Sequence, residues 1–172
     1  SLVRPGCVTG DALTYLQILE KIGVKTAFID DESFLRGALL KLGSSDLILD
    51  GIFGTGIHGM VTGAFAAAIN AVNESKARVL SIDIPSGIDG KTGQVYGSAV
   101  KADETVTFSL PKPGLWQYPG RYHAGKVTVA DIGIPAGAAE MADLTGELLD
   151  LSSCGGLLPK RPSDGHKGTF GK

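Results

Sequence analysis

The sequence predicts an α/β protein in which helices cover a mostly parallel β-sheet. Stripes of apolar residues at helical spacing alternate with short apolar runs of strand length, which is the order that crossover units on a parallel sheet produce. Aspartate and glycine lie near the ends of two of these runs, as is common where parallel strands lead into ligand-binding loops. With 172 residues, of which 43% are hydrophobic and 20% charged, the chain can bury the core of one domain.

The first predicted helix covers residues 13–22, where leucine and isoleucine recur every third residue. Thr9 or Asp11 is its expected N-cap, and Gly23 is its expected end. The apolar residues at 25–29 then predict a short strand.

The middle of the chain continues this alternation. A second helical stripe covers residues 34–42 and ends at Gly43, and the near-continuous apolar run at 47–53 predicts a strand buried on both faces. A third helix is expected at residues 64–72, and another buried strand at 79–84.

The pattern changes after Pro85, a residue that cannot donate to a strand ladder. Two further strands are predicted at residues 105–110 and 127–132, and the segments before and between them are rich in glycine and proline, which indicates loops. Residues 144–151 are consistent with one short helix and residues 152–156 with a linker.

Composition excludes several functional classes. A formal net charge of −2 gives no broad basic face for nucleic acid, and no apolar run reaches the roughly 18 residues that a membrane-spanning helix needs. Cys7 and Cys154 do not form a disulfide framework, so we expect a reducing, cytoplasmic location. The chain begins without Met and ends directly after a turn-like stretch at residues 168–171, so we expect it to be part of a longer protein.

The first segment with chemical character is a GxGxxG spacing, Gly-Thr-Gly-Ile-His-Gly at residues 54–59, which follows a strand and precedes a helix. Glycines in such a loop allow backbone amides to approach a pyrophosphate. Turn formation alone is the alternative explanation, because the chain contains 25 glycines and the helix begins late, near Gly63. His58, inside this loop, is the one histidine that we expect to face a ligand, since His123 and His166 are distant in sequence.

The second segment is Asp-Ile-Pro-Ser-Gly-Ile-Asp at residues 83–89. Asp50 and Asp83 occupy matching positions after two strands, so we expect them to meet in one crevice with Ser86. Neighbouring carboxylates and a hydroxyl favour a hard cation. Alternatively, Asp83 transfers a proton, provided that burial raises its pKa, or simply accepts hydrogen bonds in a turn. Lys112 could bind a phosphate, but a lysine between prolines is more often solvated, so we do not assign it to the site.

Together these segments resemble the NAD(P)H-hydrate epimerase family, whose domain is a Rossmann-like three-layer α/β/α fold with a mostly parallel sheet. Five motifs match in order between about Leu47 and Pro135. They cover residues 50–56, 83–89, 101–108, 111–114 and 131–135.

The resemblance implies interconversion of the R and S epimers at C6 of hydrated NADH or NADPH (NADHX or NADPHX). Asp50 and Ser86 match the family's K⁺ ligands, one ion per domain, and Asp83 matches a substrate-contacting carboxylate that is the candidate acid/base residue. The loop that contacts the dinucleotide corresponds to Gly54, Thr55, Gly56, Ile57, His58, Gly59 and Met60. A homodimer is also implied.

The end of the chain, residues 157–171, resembles the opening of the ADP-dependent hydrate dehydratase domain. The resemblance therefore assigns residues 1–150 to the C-terminal portion of the epimerase domain and residues 151–172 to a linker and the start of a dehydratase that uses ADP or ATP. The family's Gly-Asn-Asn-Gly-Gly-Asp-Gly loop has no counterpart in residues 1–45. We accordingly expect an N-terminally truncated fold with that loop upstream of Ser1.

Two other functions are compatible with parts of the pattern. An NAD-dependent dehydrogenase is disfavoured because no strand ends in an acidic residue about 20 positions after Gly54, and Glu74 has that spacing but falls at a helix end. A catalytically idle nucleotide-binding module is disfavoured because Asp50, Asp83 and Ser86 are all present.

Overall fold

A computed structural model shows four parallel strands that pair in the order in which they occur along the chain. The strands are β1 (Leu47–Asp50), β2 (Arg78–Ile82), β3 (Glu104–Phe108) and β4 (Lys126–Ala130). The structure describes residues 8–26, 37, 40, 42–135, 137–138, 146, 148–149, 151–155, 164–166 and 168. The predicted α/β class with a parallel sheet is confirmed.

β2 and β3 end in the same kind of tight turn. Asp83 follows β2 with φ of 68°, and the N–H of Ile84 donates to the carbonyl of Ile82 at 2.8 Å. Ser109 follows β3 with φ of 62°, and the N–H of Leu110 donates to the carbonyl of Phe108 at 2.7 Å. Hydrogen bonds across three residues at positive φ are γ-turns, a strained conformation for residues other than glycine. The turn explains why β2 ends two residues before the predicted limit at residue 84.

Two longer helices agree with the sequence pattern. α1 spans Gly10–Lys21 with Thr9 at its N-cap, although the Thr9 side chain makes no capping hydrogen bond. α1 ends at Lys21, and Gly23, the predicted stop residue, follows two residues later; its φ of 82° allows the N–H of Val24 to reach back to the carbonyl of Leu19 at 2.9 Å. α2 spans Gly63–Glu74, at the position predicted for the third helix.

The larger core lies on one face of the sheet. Ile69 and Val72 of α2 belong to the same buried cluster as Ile48 of β1 and Val79 of β2. Right-handed crossovers between strands in sequential order place their helices on a single face, which accounts for this arrangement.

The opposite face of β1 is exposed, and the prediction of a strand buried on both faces is wrong here. The side chains of Leu47 and Leu49 are 51% and 59% exposed, whereas Ile48 and Asp50 between them are buried. α2 covers only the face to which Ile48 and Asp50 point. The near-continuous apolar run therefore does not reveal which of its residues the protein covers.

The turn-rich segments form a second, smaller core at the ends of the strands. It contains the buried side chains of Ile84 and Ile88 after β2 and of Leu115 after β3. As predicted, no helix separates β2 from β3. Between β3 and β4 the chain forms a 3₁₀ turn at Pro113–Leu115 and a short helix, α3, at Gly120–Ala124. The sequence did not predict either element, because both lie in the glycine- and proline-rich segment that indicates loops.

The chain divides into two compact units, Ser1–Ile134 and Pro135–Lys172. In the second unit a short helix, α4, spans Leu151–Gly155, where the sequence predicts a linker. Gly146, Leu148 and Leu149 are not helical, contrary to the helix predicted at 144–151, which glycine disfavours. The predicted strand at 25–29 and helix at 34–42 lie mostly outside the described residues. No helix in the described part of the chain is long and apolar enough to span a membrane.

Candidate functional site

The carboxylate of Asp50, at the end of β1, is buried with 1% exposure and accepts hydrogen bonds on both oxygens. Its Oδ2 accepts from the hydroxyl of Ser81 at 2.7 Å and from the N–H of Ser86 at 2.9 Å. Its Oδ1 accepts from the hydroxyl of Ser86 at 2.5 Å and from the N–H of Ile52 at 3.4 Å. The structure thus brings together Asp50 and Ser86, the two residues that the sequence places in a cation site.

No cationic side chain is among the partners that the structure shows for this buried carboxylate. A buried charge without an ion pair is expensive unless hydrogen bonds or a cation compensate it. The surrounding oxygens are a carboxylate, the hydroxyl of Ser86 and the carbonyl of Phe53, which lies 3.3 Å from that hydroxyl. Among the described residues no cluster of three or more His, Cys, Asp or Glu side chains could hold a metal ion. The donor set therefore fits a hard cation better than a transition metal.

Asp83 lies at the end of β2 and contacts the end of β3. Its Oδ1 accepts hydrogen bonds from the N–H of Phe108 at 3.0 Å and the hydroxyl of Thr107 at 3.2 Å, and from the ammonium of Lys112 at 2.5 Å. The ammonium also donates to the carbonyl of Phe108 at 2.8 Å. Lys112 is therefore an ion-pair partner of Asp83, and its assignment as a solvated lysine was wrong.

The pKa of Asp83 lies below its ordinary value of 3.8. Burial alone would raise this pKa, but the hydrogen bonds from Lys112 and from the Phe108 N–H, together with the charge of Lys112, outweigh it. The condition that burial raises the pKa of Asp83 toward neutrality is therefore not met. At neutral pH Asp83 is ionised, so it is not a proton donor, and the role left to it in proton transfer is that of a base.

The two carboxylates do not share a partner, contrary to the expectation of one joint site. β1 and β2 pair so that Asp50 lies opposite Ser81, two residues before Asp83. Asp50 consequently bonds to Ser81 and Ser86, whereas Asp83 bonds to residues after β3. Matching positions in the sequence motifs are not matching positions in the sheet register.

Three loops nevertheless converge at Gly90, which follows β2. A Cβ built on Gly90 would lie 3.3 Å from Ile84 Cδ1, 3.4 Å from Thr55 Cγ2 and 3.8 Å from Lys112 Cγ. Thr55 belongs to the glycine loop after β1, and Lys112 to the loop after β3. The carboxyl ends of three neighbouring strands thus form one continuous surface that includes Asp83.

The glycine loop is open to solvent. Gly54, Thr55, Gly56, His58, Gly59 and Met60 are exposed, and only Ile57 is half-buried, where it packs on the larger core. A Cβ at Gly54, Gly56 or Gly59 would meet no atom within 4 Å, so no close packing within the described structure requires glycine at these positions. Gly59 has φ of 84°, a backbone conformation that favours glycine.

The loop joins the rest of the site at both ends. The N–H of Phe53, just before it, donates to the hydroxyl of Ser86 at 2.9 Å. The N–H of Val61, just after it, donates to the carbonyl of Tyr96 at 2.8 Å. α2 begins only at Gly63, so its N-terminus follows the GxGxxG spacing after a gap of three residues. This geometry differs from a dinucleotide fingerprint in which the last glycine packs helix against strand.

Sequence reasoning missed three polar residues of this surface: Ser81, Thr107 and Lys112. Ser81 and Thr107 are fully buried inside strands, where a polar residue in an apolar run is a recognisable feature. For Lys112 no local feature indicates pairing, because its partner Asp83 is 29 residues earlier.

Comparison with known proteins shows which family the sequence matches. A family model described as YjeF-related protein N-terminus matches residues 2–114. The bifunctional NAD(P)H-hydrate repair enzyme Nnr of Moorella thermoacetica is 41% identical over 171 residues, which cover 99% of this chain and 32% of that protein. The corresponding enzyme of Thermofilum pendens is 41% identical over 152 residues, 88% of this chain and 28% of that protein.

A relative with a single named activity has a higher percentage identity to this chain, over a shorter stretch. The NAD(P)H-hydrate epimerase of Limosilactobacillus fermentum is 54% identical over 94 residues, 55% of this chain and 44% of that protein. The chain spans about a third of the length of the bifunctional relatives and less than half of this epimerase. The resemblance inferred from five sequence motifs is confirmed, and the chain belongs to the YjeF-related protein N-terminus family.

Proposed function

We propose that this chain contributes the site at which the R and S epimers of hydrated NADH or NADPH interconvert. The observation that carries this proposal is Asp83, an anchored carboxylate at the carboxyl edge of a parallel sheet, beside an open glycine loop. Relatives named NAD(P)H-hydrate epimerase support it. Residues 54–60, exposed except for the half-buried Ile57, are the proposed contacts of the dinucleotide.

The ring-opening route to epimerisation requires a proton acceptor near C6 of the hydrated ring. C6 carries the added hydroxyl and is bonded to the ring nitrogen, so its configuration inverts only if one of these bonds breaks and re-forms. When the bond between C6 and nitrogen breaks, the hydroxyl proton passes to a base, C6 and its oxygen form a carbonyl, and nitrogen keeps the bonding electron pair. Rotation and the reverse steps close the ring on the other face. Asp83 is ionised at neutral pH and is the proposed acceptor of that proton.

Asp50 and Ser86 are the proposed ligands of K⁺, an assignment supported by the buried, unpaired charge of Asp50 and its oxygen-only surroundings. The single hydrogen of the Ser86 hydroxyl can point to Asp50 or to the carbonyl of Phe53, and the second orientation leaves lone pairs of Asp50 and Ser86 available to a cation. A bound K⁺ would supply positive charge for substrate phosphates.

The remaining proposals concern the whole protein. We propose that residues 1–150 belong to an epimerase domain and that residues 151–172 lead into an ADP- or ATP-using dehydratase domain. The Moorella alignment supports this division, because it covers 99% of the chain, whereas the epimerase alignments cover 93 to 128 residues. A cytoplasmic location and a homodimer complete the proposal, supported by cysteine content and by family resemblance respectively.

Asp83→Asn tests the epimerase proposal in the full-length protein. The amide keeps a hydrogen-bonding oxygen for Lys112 but cannot take up a proton at neutral pH, so we expect the exchange of R and S epimers to slow by about 10²–10⁴-fold. Chromatographic separation of the two epimers measures the rate. Glu74→Gln, which removes the same charge at the exposed end of α2, is the matched control. Exchange at the wild-type rate in Asp83→Asn would exclude Asp83 as the proton acceptor.

A further inference from the structure

Lys112 is held in place before any substrate arrives. It lies between Pro111 and Pro113, and the ring of Pro113 restricts the backbone of Lys112 to the extended conformation that it adopts, with φ of −91° and ψ of 125°. Its carbonyl accepts the N–H of Leu115 at 2.9 Å. The backbone of Lys112 therefore has little freedom left to lose when the ion pair forms.

The hydrogen bonds to Asp83 are unevenly divided between its two oxygens. Oδ1 accepts all three of the bonds from Phe108, Thr107 and Lys112. Within the described part of the chain no group donates to Oδ2. A carboxylate oxygen has about two lone pairs, so Oδ1 is fully used and Oδ2 is the oxygen available to a further donor.

The ion pair is partly shielded from water. The side chains of Asp83 and Lys112 are each 21% exposed, so their attraction is stronger than that of a pair on the open surface. Lys112 is the charged side chain that contacts Asp83 among the described residues.

We propose that Lys112 is a positioning residue for Asp83: its ammonium group fixes Oδ1 and thereby presents Oδ2 to the substrate. This inference rests on the proposed epimerase function and assigns to Lys112 a role other than phosphate binding. The backbone strain at Asp83, with φ of 68°, agrees with it, because the contacts from the end of β3 hold a conformation that aspartate rarely adopts.

Lys112→Met and Lys112→Arg separate the charge of this residue from its bulk. In Lys112→Met, burial of Asp83 is no longer offset by a positive charge, so its pKa should rise and the acid limb of the rate profile should move to higher pH. We expect kcat for epimer exchange at pH 7 to fall by about 10-fold to 100-fold, while KM changes by less than about threefold. Lys112→Arg keeps the charge and should restore the wild-type acid limb.

The test measures kcat and KM against pH in the full-length protein with chromatographically separated NADHX epimers. Lys126→Met, the same substitution at the amino end of β4, should leave the profile unchanged. An unchanged acid limb in Lys112→Met would overturn the proposal, and so would a rise in KM with kcat unchanged, which indicates phosphate binding instead. If Lys112→Met does not fold, Lys112→Gln removes the charge and keeps a hydrogen-bond donor.

NMR titration of the Asp83 carboxyl separates failure of this inference from failure of the proposed function. If the wild-type protein exchanges no epimers, the proposed function fails, but a higher Asp83 pKa in Lys112→Met than in wild type still supports the role of Lys112. An equal pKa in both proteins overturns that role.

Discussion

Asp50 offers the sharpest test of how the buried end of the site is stabilised. We consider two substitutions, Asp50→Ala and Asp50→Asn, because they remove different properties of the carboxylate. Alanine removes charge and acceptors together, whereas asparagine removes the charge but keeps one acceptor.

The hydrogen bonds around Asp50 determine the expected magnitudes. In Asp50→Ala the buried N–H of Ser86 and the hydroxyl of Ser81 lose their acceptor, while the hydroxyl of Ser86 can turn to the carbonyl of Phe53 at 3.3 Å. One or two unsatisfied buried donors cost about 1–3 kcal/mol each, so the free energy of unfolding should fall by about 1–6 kcal/mol.

Asparagine should be far milder. Its amide oxygen can take the place of Oδ2, which accepts from Ser81 and from the N–H of Ser86, and its NH₂ group then faces the hydroxyl oxygen of Ser86. Only the long bond from the N–H of Ile52, at 3.4 Å, is lost outright. We expect a loss of about 1 kcal/mol or less.

Urea unfolding followed by the fluorescence of Trp116 measures both effects. This residue is the single tryptophan of the chain and packs against the smaller core. The same urea unfolding curves, measured in K⁺ and in tetramethylammonium at equal ionic strength, test whether K⁺ binds at Asp50. If K⁺ binds at Asp50, the wild-type chain is more stable in K⁺, by about 2.7 kcal/mol at 100 times the dissociation constant, and Asp50→Asn shows no such gain.

Two results would refute this reasoning. A loss below about 1 kcal/mol in Asp50→Ala would mean that the hydrogen bonds around Asp50 contribute little. A K⁺-dependent gain that persists in Asp50→Asn would place the cation elsewhere.

Glycine packing and acid sensitivity provide the remaining predictions. Gly114→Ala makes the new Cβ overlap the carbonyl oxygen of Asp89 and should cost more than about 3 kcal/mol of unfolding free energy. The Cβ of Gly54→Ala meets no atom within 4 Å, so this variant should change stability by less than about 0.5 kcal/mol while raising KM for the dinucleotide. Equal urea midpoints for the two variants would contradict this contrast. Hydrogen bonds from Tyr96 and Thr92 lower the pKa of Asp89 to about 2, below its ordinary value of 3.8, so its stabilisation is present above about pH 4 and is lost as the pH falls toward 2. Asp89→Asn should flatten the fall in stability between pH 4 and 2, by about 1 kcal/mol after allowance for solvent screening, and parallel wild-type and variant curves would argue against this role.

The sequence pattern located most of the described sheet. The apolar runs that predict strands coincide with β1 to β4, because a buried strand must be apolar whatever its partner. The contact between Asp50 and Ser86, the proposed cation ligands, was also foreseeable, since loops after neighbouring parallel strands meet at one edge.

The register of the strands, and the face of each strand that is buried, could not be predicted from the sequence pattern. Asp50 pairs with Ser81 and not with the position of Asp83, and Leu47 is exposed although its neighbour Ile48 is buried. An apolar sequence indicates that a strand is buried. Which of its faces a helix packs against depends on crossovers between distant segments.

The sequence by itself determined the α/β class, the family and the loops that line the carboxyl edge of the sheet. Only the tertiary structure decided the charge state of Asp83, because that depends on Lys112, which lies 29 residues later in the chain and 2.5 Å away in space. A pKa responds to groups within a few ångströms, and the sequence separation of two residues says nothing about that distance.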